Sequence, residues 1–377
     1  MTKQELYEAG KRILSFTQWR DRLFFWCGAI VIGAIAAGFA SVADDAQKVF
    51  ARIVSFNQYI PLIFCPVILG LTGWLTFTLA PSSSGSGIPQ AIAAHASQND
   101  EERRYLLGPK IILSKIVFTA LGLLGGASMG REGPTVQIGA AILYLGASFT
   151  KMSAEMSRSV ILAGAAAGVA AAFNTPLAGI VFAIEEMARA FEHRYSGVVL
   201  TAIVLAGASS LSLLGNYSYF GVADGDYSLD RDWLVIGVVG VVGGILGGLF
   251  AVLLSKGTVW LKNRNKKEHS FRPAIFAAFC GLVVAILGLL THGETYGSGY
   301  AQAQSFLHDG TAGSWGYTIA KLVATIASGF TGIPGGIFSP SLSVGAGLGA
   351  SMAPWFPSTP VAGVVLLGMT DYFAGVT

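Results

Sequence analysis

The chain has 377 residues, of which 53% are hydrophobic and only 12% charged, with a formal net charge of +3. A mean hydropathy of +0.60 leaves too little polar surface to clothe a soluble domain, which excludes an ordinary water-soluble enzyme and points to a polytopic membrane protein made of α-helices. The small positive balance carries no argument for nucleic acid. The 49 glycines suit close helix packing and interrupted spans better than soluble helices.

Residues 1–22 are polar and basic, with Lys3, Lys11, Arg12, Arg20 and Arg22, and are expected on the cytoplasmic side; no cleavable signal peptide is expected ahead of the first span. Uncharged runs long enough to span come next at Leu23–Ala43, Tyr59–Ala80, Val160–Ile184, Gly197–Ala223, Trp233–Ser255 and Pro273–Thr291, with a longer run at Pro340–Thr370. Cys27, Cys65 and Cys280 lie in apolar surroundings and are expected to be buried thiols rather than disulfides or metal ligands. The acidic stretch 216–232, with Asp224, Asp226, Asp230 and Asp232, is expected outside, and the basic cluster Lys262–Arg272 inside. The expected organisation is a cytoplasmic segment 1–22, a first transmembrane repeat 23–215, a polar loop 216–232 and a second repeat 233–377, incomplete at its C-terminus.

Gly130-Arg131-Glu132-Gly133-Pro134 sets a carboxylate and a guanidinium inside a stretch that otherwise reads as membrane-buried. Ionisable groups at that depth cost several kcal/mol and mark substrate or ion pathways. The uncharged run from Ile116 to Gly130 spans only roughly 22 Å as a helix, short of a hydrocarbon core of about 30 Å, so the helix should break inside the bilayer. The glycines permit the break, and Pro134 suits the first turn of a new helix, where a missing N–H costs nothing. A helix N-terminus buried in this way offers free amides and a positive dipole end to an anion.

The chain also repeats itself. An ungapped offset that sets Lys115–Ala140 on Lys321–Ala346 pairs Lys115 with Lys321, Thr119 with Thr325, Gly130 with Gly336 and Pro134 with Pro340. Upstream of each segment, after a small shift, lies a matching turn: Gly85-Ser86-Gly87-Ile88-Pro89 and Gly297-Ser298-Gly299-Tyr300. Two homologous halves are expected, with their breaks facing one site. The repeat pairs Glu132 with Phe338, so the second break, Gly335-Gly336-Ile337-Phe338-Ser339-Pro340, offers amides without a carboxylate. The first half continues through Pro176–Met187 and the second reaches only Thr377, so a further helical unit of the second half is expected to be missing.

These three loops, in this order and spacing, resemble the signature loops of the CLC chloride channels and proton-coupled chloride transporters, over roughly Leu23 to Thr377. The resemblance implies an all-α polytopic fold with two inverted-topology repeats and broken helices, and a homodimer whose subunits each carry a pore. It implies that Ser86 gives its hydroxyl to chloride opposite the amides of Ile337 and Phe338, with Arg131 and Gly133 also lining the anion path. Glu132 would be the gating carboxylate and outer proton acceptor, and Glu186 the inner proton-transfer acid. Serine at position 86 resembles chloride-preferring members, where nitrate-preferring ones have proline and fluoride exporters methionine. The family's anion-binding tyrosine belongs to a later helix, which is expected to be missing here.

The resulting expectation is a secondary active proton/chloride antiporter in a bacterial inner membrane, with chloride, protons and the lipid bilayer as its partners and no cofactor. The alternatives are a passive, voltage-gated-type chloride channel on the same fold and a non-transporting membrane fragment. Plainer readings stand beside these: Glu132 as an ion-pair partner of Arg131, and Glu186 as a solvated helix-end acid near Arg189 and Arg194. Gly126-Ala127-Ser128-Met129-Gly130 fits the G-x-S-x-G hydrolase pattern, but no histidine lies inside a span to serve as its base, and an ATP-driven pump lacks its phosphate-binding loop.

Overall fold

The computed structural model describes residues 16–148, 154–187, 196–215, 220, 229–264, 272–311 and 313–377. Among these the chain is helical, and its β-type pairing is limited to two isolated bridges. In chain order the helices are α1 (Phe16–Phe56), α2 (Pro61–Leu79), α3 (Ile88–Ala96), α4 (Asp100–Leu107), α5 (Pro109–Leu124), α6 (Glu132–Ser148), α7 (Ala154–Ala172) and α8 (Pro176–Phe182). Next come α9 (Ser196–Leu214), α10 (Leu229–Arg264), α11 (Arg272–Leu290), α12 (Tyr300–His308), α13 (Trp315–Phe330), α14 (Phe338–Met352) and α15 (Val361–Val376). The expectations for the N-terminal basic residues to position 15, most of the acidic loop and most of the basic cluster after Lys262 fall outside the described residues.

Local chemistry sets the boundaries. Pro61 opens α2, and Pro176 opens α8. Asn99 accepts the Glu101 amide at the start of α4, whose first turn carries Asp100, Glu101 and Glu102 on the positive end of its dipole. Two apolar runs that read as single spans are divided. Val160–Ile184 splits between α7 and α8 ahead of Pro176, and Pro340–Thr370 splits between α14 and α15 where Pro354, Pro357 and Pro360 interrupt it. Both corrections have one cause, since hydropathy registers apolar length but not the backbone donors that proline removes.

The first compact unit comprises 1–38, 88–112 and 135–216. Its core is a small-residue crossing in which a Cβ on Gly164 would stand 2.9 Å from the Ala140 Cα, and one on Gly168 would stand 2.5 Å from the Thr135 carbonyl. Backbones meet there because nothing intervenes. Arg103, only 1% exposed, donates to the carbonyls of Ala94 (3.3 Å) and Ser97 (2.6 Å) and to Asp100 (3.3 Å), tying α3 to α4. Cys27 is exposed on α1, a departure from the expected buried thiol; α1 is apolar on several faces, so sequence could not say which one packs.

The second unit comprises 39–87, 113–134 and 217–377. Here α2 packs on α11, α14 on α15, and α15 on α10. Large apolar side chains such as Ile63 (75%), Ile275 (69%) and Leu290 (72%) face outward. An outward face of this kind suits lipid, and α2, α10 and α11 include stretches long and apolar enough to cross a bilayer, as do Leu23–Phe56 and Asp100–Leu124.

Candidate anion site at two helix breaks

Both expected breaks are present, and both lie in the second unit. Helix α5 ends at Leu124 and α6 begins at Glu132, with Pro134 in its first turn; α13 ends at Phe330 and α14 begins at Phe338, with Pro340 in the equivalent place. The two breaks are bonded to each other. Gly130 donates to the Gly336 carbonyl and Gly336 to the Gly130 carbonyl, each at 2.7 Å, as an antiparallel bridge. These are the two residues that the internal repeat sets in register, so the contact is reciprocal in the manner of a two-fold axis.

The reciprocity extends outward. Thr119 Oγ1 donates to the Pro334 carbonyl (3.1 Å), while its repeat mate Thr325 shares a 2.9 Å hydrogen bond with the Ser128 hydroxyl. Lys115 Nζ, fully buried, donates to the Gly85 carbonyl at 2.7 Å, and its mate Lys321, also fully buried, donates to the Gly297 carbonyl at 2.8 Å and the Thr295 carbonyl at 3.0 Å. Each lysine therefore clamps the first glycine of a Gly-Ser-Gly turn, which gives the pair a structural role. Ser128 of the hydrolase-like pattern faces Thr325 and Ser328, neither of them a base, and its hydroxyl is committed to the repeat contact.

The symmetry fails at two points. In the second turn, Gln47 Oε1 accepts both the Ser298 amide (3.0 Å) and the Ser298 hydroxyl (3.1 Å). In the first turn the Ser86 Oγ is buried and has no hydrogen-bond partner among the described residues. A buried hydroxyl left unsatisfied costs about 1–3 kcal/mol unless something accepts from it. A Cβ on Gly133 would lie 2.5 Å from that Oγ, 2.9 Å from the Ser86 carbonyl and 3.3 Å from the Gly336 Cα, so the three loops meet where only glycine fits.

The second point is Glu132. It is 1% exposed, and its Oε1 accepts from the Ser339 hydroxyl at 2.7 Å, so the only carboxylate at either break reaches across to the opposite helix start. Arg131 turns elsewhere: its Nη1 donates to Asp44 at 2.7 Å and to the Ala40 carbonyl at 2.9 Å. The pairing with Asp44 leaves this guanidinium nitrogen committed to α1. Ile337 caps α14 without a side-chain bond, and the first-turn amides it leads have no intrahelical acceptor. The Phe338 ring packs on Phe373 with centroids 4.9 Å apart. Thus Ser86, Arg131, Glu132, Gly133, Ile337 and Phe338 come together in one unit. Glu186 lies in the first unit, on the π-helical turn Ala183–Met187 that continues α8, and its side chain is outside the described residues.

Sequence reasoning passed over Ser339, Asp44 and Gln47. Ser339 stands inside the second break motif, on the register of Gly133, and its hydroxyl was the signal. Asp44 and Gln47 carry no motif; they are found only once α1 is seen to present Ala40, Asp44 and Gln47, three or four residues apart, to the breaks.

The sequence profile of the voltage gated chloride channel family matches residues 68–377. Among solved structures, the chain is similar to a CLC-type fluoride/proton antiporter at 24% identity and a TM-score of 0.79, over 96% of this chain and 88% of that one. It is similar to a slow cyanobacterial Cl−/H+ antiporter at 25% identity and a TM-score of 0.79, over 93% and 84% of the two chains. A eukaryotic CLC transporter matches at 19% identity and a TM-score of 0.69, over 94% and 65%.

Proposed function

Because the chain belongs to the voltage-gated chloride channel family, we propose that this membrane protein is a secondary active proton/chloride antiporter, working as a homodimer in a bacterial inner membrane. The observation that carries the proposal is the buried Glu132 carboxylate, bonded to Ser339 at 2.7 Å between two broken-helix N-termini. A carboxylate there stands where an anion would, since both are stabilised by oriented amides and hydroxyl dipoles.

The mechanism rests on competition. Chloride is held by the Ser86 hydroxyl and the first-turn amides at Ile337 and Phe338, without a full positive charge, which keeps binding weak enough for release. Glu132 as a carboxylate occupies the path. When it takes a proton from the outer water it loses its charge and leaves the path, and chloride moves in. Glu186 passes the proton on the inner side. One ion can therefore advance only as the other is exchanged.

The test is flux in liposomes under separate chloride and proton gradients. Wild-type protein should drive proton uptake against a pH gradient when chloride runs down its own gradient. Glu132→Gln should abolish proton movement while chloride still passes. Undiminished proton uptake in Glu132→Gln would remove the residue from this role, and a wild-type current insensitive to pH gradients would favour a passive chloride channel on the same fold.

A further inference from the structure

The Ser339–Glu132 bond breaks the symmetry of the two helix starts in a way the competition mechanism does not use. Register sets Ser339 against Gly133, so one break brings a hydroxyl where the other has only hydrogen. Ser339 is fully buried, 1% of Glu132 is exposed, and the hydroxyl's acceptor is a carboxylate oxygen at 2.7 Å. A hydroxyl donating to a charged acceptor is among the stronger hydrogen bonds, and burial strengthens it further.

We infer that Ser339 is a latch for the gating carboxylate: its hydroxyl holds Glu132 in the anion path and, once Glu132 is protonated and leaves, turns the same donor to the incoming halide. The inference rests on the antiporter reading of Glu132. In the latched state Ser339 Oγ–H donates to Oε1. Protonation, by a proton from the outer water, turns the carboxylate into a carboxylic acid and removes the charge that made the bond strong. No covalent bond changes other than the new O–H. The released hydroxyl then joins the Ser86 hydroxyl, so the Gly-Ser-Gly turn and the second break each contribute one donor to the ion.

Charged groups around Glu132 are already engaged. Arg131 is held by Asp44 on α1, Lys115 on α5 is held by the Gly85 carbonyl, and α14 carries no titratable side chain in its sequence FSPSLSVGAGLGASM. Lys321 on α13 bonds the carbonyls of Thr295 and Gly297. The Ser339 hydroxyl is thus the identified side-chain donor that α14 gives to the carboxylate.

A hydrogen bond donated to a carboxylate favours its charged form, and Ser339→Ala removes the one that Ser339 gives to Glu132. Ser339→Ala should shift the pH profile of chloride flux upward, with Ser339→Cys, a weaker donor, falling between Ala and wild type. In a Glu132→Ala background, where the hydroxyl faces the ion at all times, adding Ser339→Ala should weaken chloride binding by calorimetry about tenfold. Thermal melting of each detergent-purified variant separates loss of fold from loss of the latch, and Ser339→Cys carries the test should Ser339→Ala fail to fold. Overlapping pH profiles for folded wild type and variants, or unchanged chloride affinity in the double variant, would overturn the latch. Glu132→Gln run alongside distinguishes the two failures: retained proton coupling there overturns the antiporter reading itself, while lost coupling with an unshifted Ser339→Ala profile overturns only the latch.

Discussion

At the Gly85-Ser86-Gly87 turn a single buried hydroxyl sets the first turn apart from its repeat counterpart. The Ser86 Oγ is buried and without an acceptor among the described residues, whereas its repeat counterpart Ser298 is satisfied by Gln47. Two turns of the same sequence pattern are thereby given different chemistry by one amide oxygen from α1. The Ser86 donor matters most to a small, strongly hydrated anion, which must recover in the site the hydrogen bonds it had in water. Ser86→Pro removes both that hydroxyl and the local amide. Nitrate should gain on chloride several-fold in competitive flux. An unchanged ratio in a variant that still transports would mean that the hydroxyl does not face the ion.

Among the elements, the breaks were legible because the residues that cause them are conspicuous: a carboxylate in an apolar run, glycines, and a proline placed for the first turn of a new helix. The repeat was legible because the residues on the axis cannot vary freely; Gly130 and Gly336 exchange backbone bonds where a Cβ on Gly336 would stand 2.9 Å from the Gly133 amide nitrogen. What sequence could not give was the partner of each polar group, since Gln47 and Ser298 lie 251 residues apart and share no motif. The paired lysines test the elements directly. Lys321→Met strips a donor from two carbonyls, those of Thr295 and Gly297, and should lower stability by about 1–3 kcal/mol, read as a drop in melting temperature, with anion preference unchanged. Lys115→Met leaves the Gly85 carbonyl its bond from the Gly335 amide at 3.2 Å, so it should cost less stability yet alter anion preference, because the turn it releases carries Ser86. If Lys321→Met changes anion preference and Lys115→Met does not, the assignment of the ion to the first turn is wrong.

On the scale of the whole chain, composition announced membrane helices, but hydropathy could not tell which apolar runs are continuous. The run Val160–Ile184 is interrupted before Pro176, and its second part is a short helix ending in a π-helical turn that contains Glu186. Turns of that type are uncommon and collect at functional sites, which adds a physical reason to the resemblance that singled out this acid. Exchange requires the protein to move protons by a route that chloride need not share. Glu186→Val should therefore abolish proton movement in liposomes while chloride continues to pass, and the reversal potential should move from a value set by both gradients to one set by chloride alone. A variant whose coupling is unchanged would make Glu186 an ordinary solvated acid at a helix end. Loss of chloride flux together with proton flux, in protein that still melts as wild type does, would mean instead that the two ions share the path at this point and that the separate proton route is wrong.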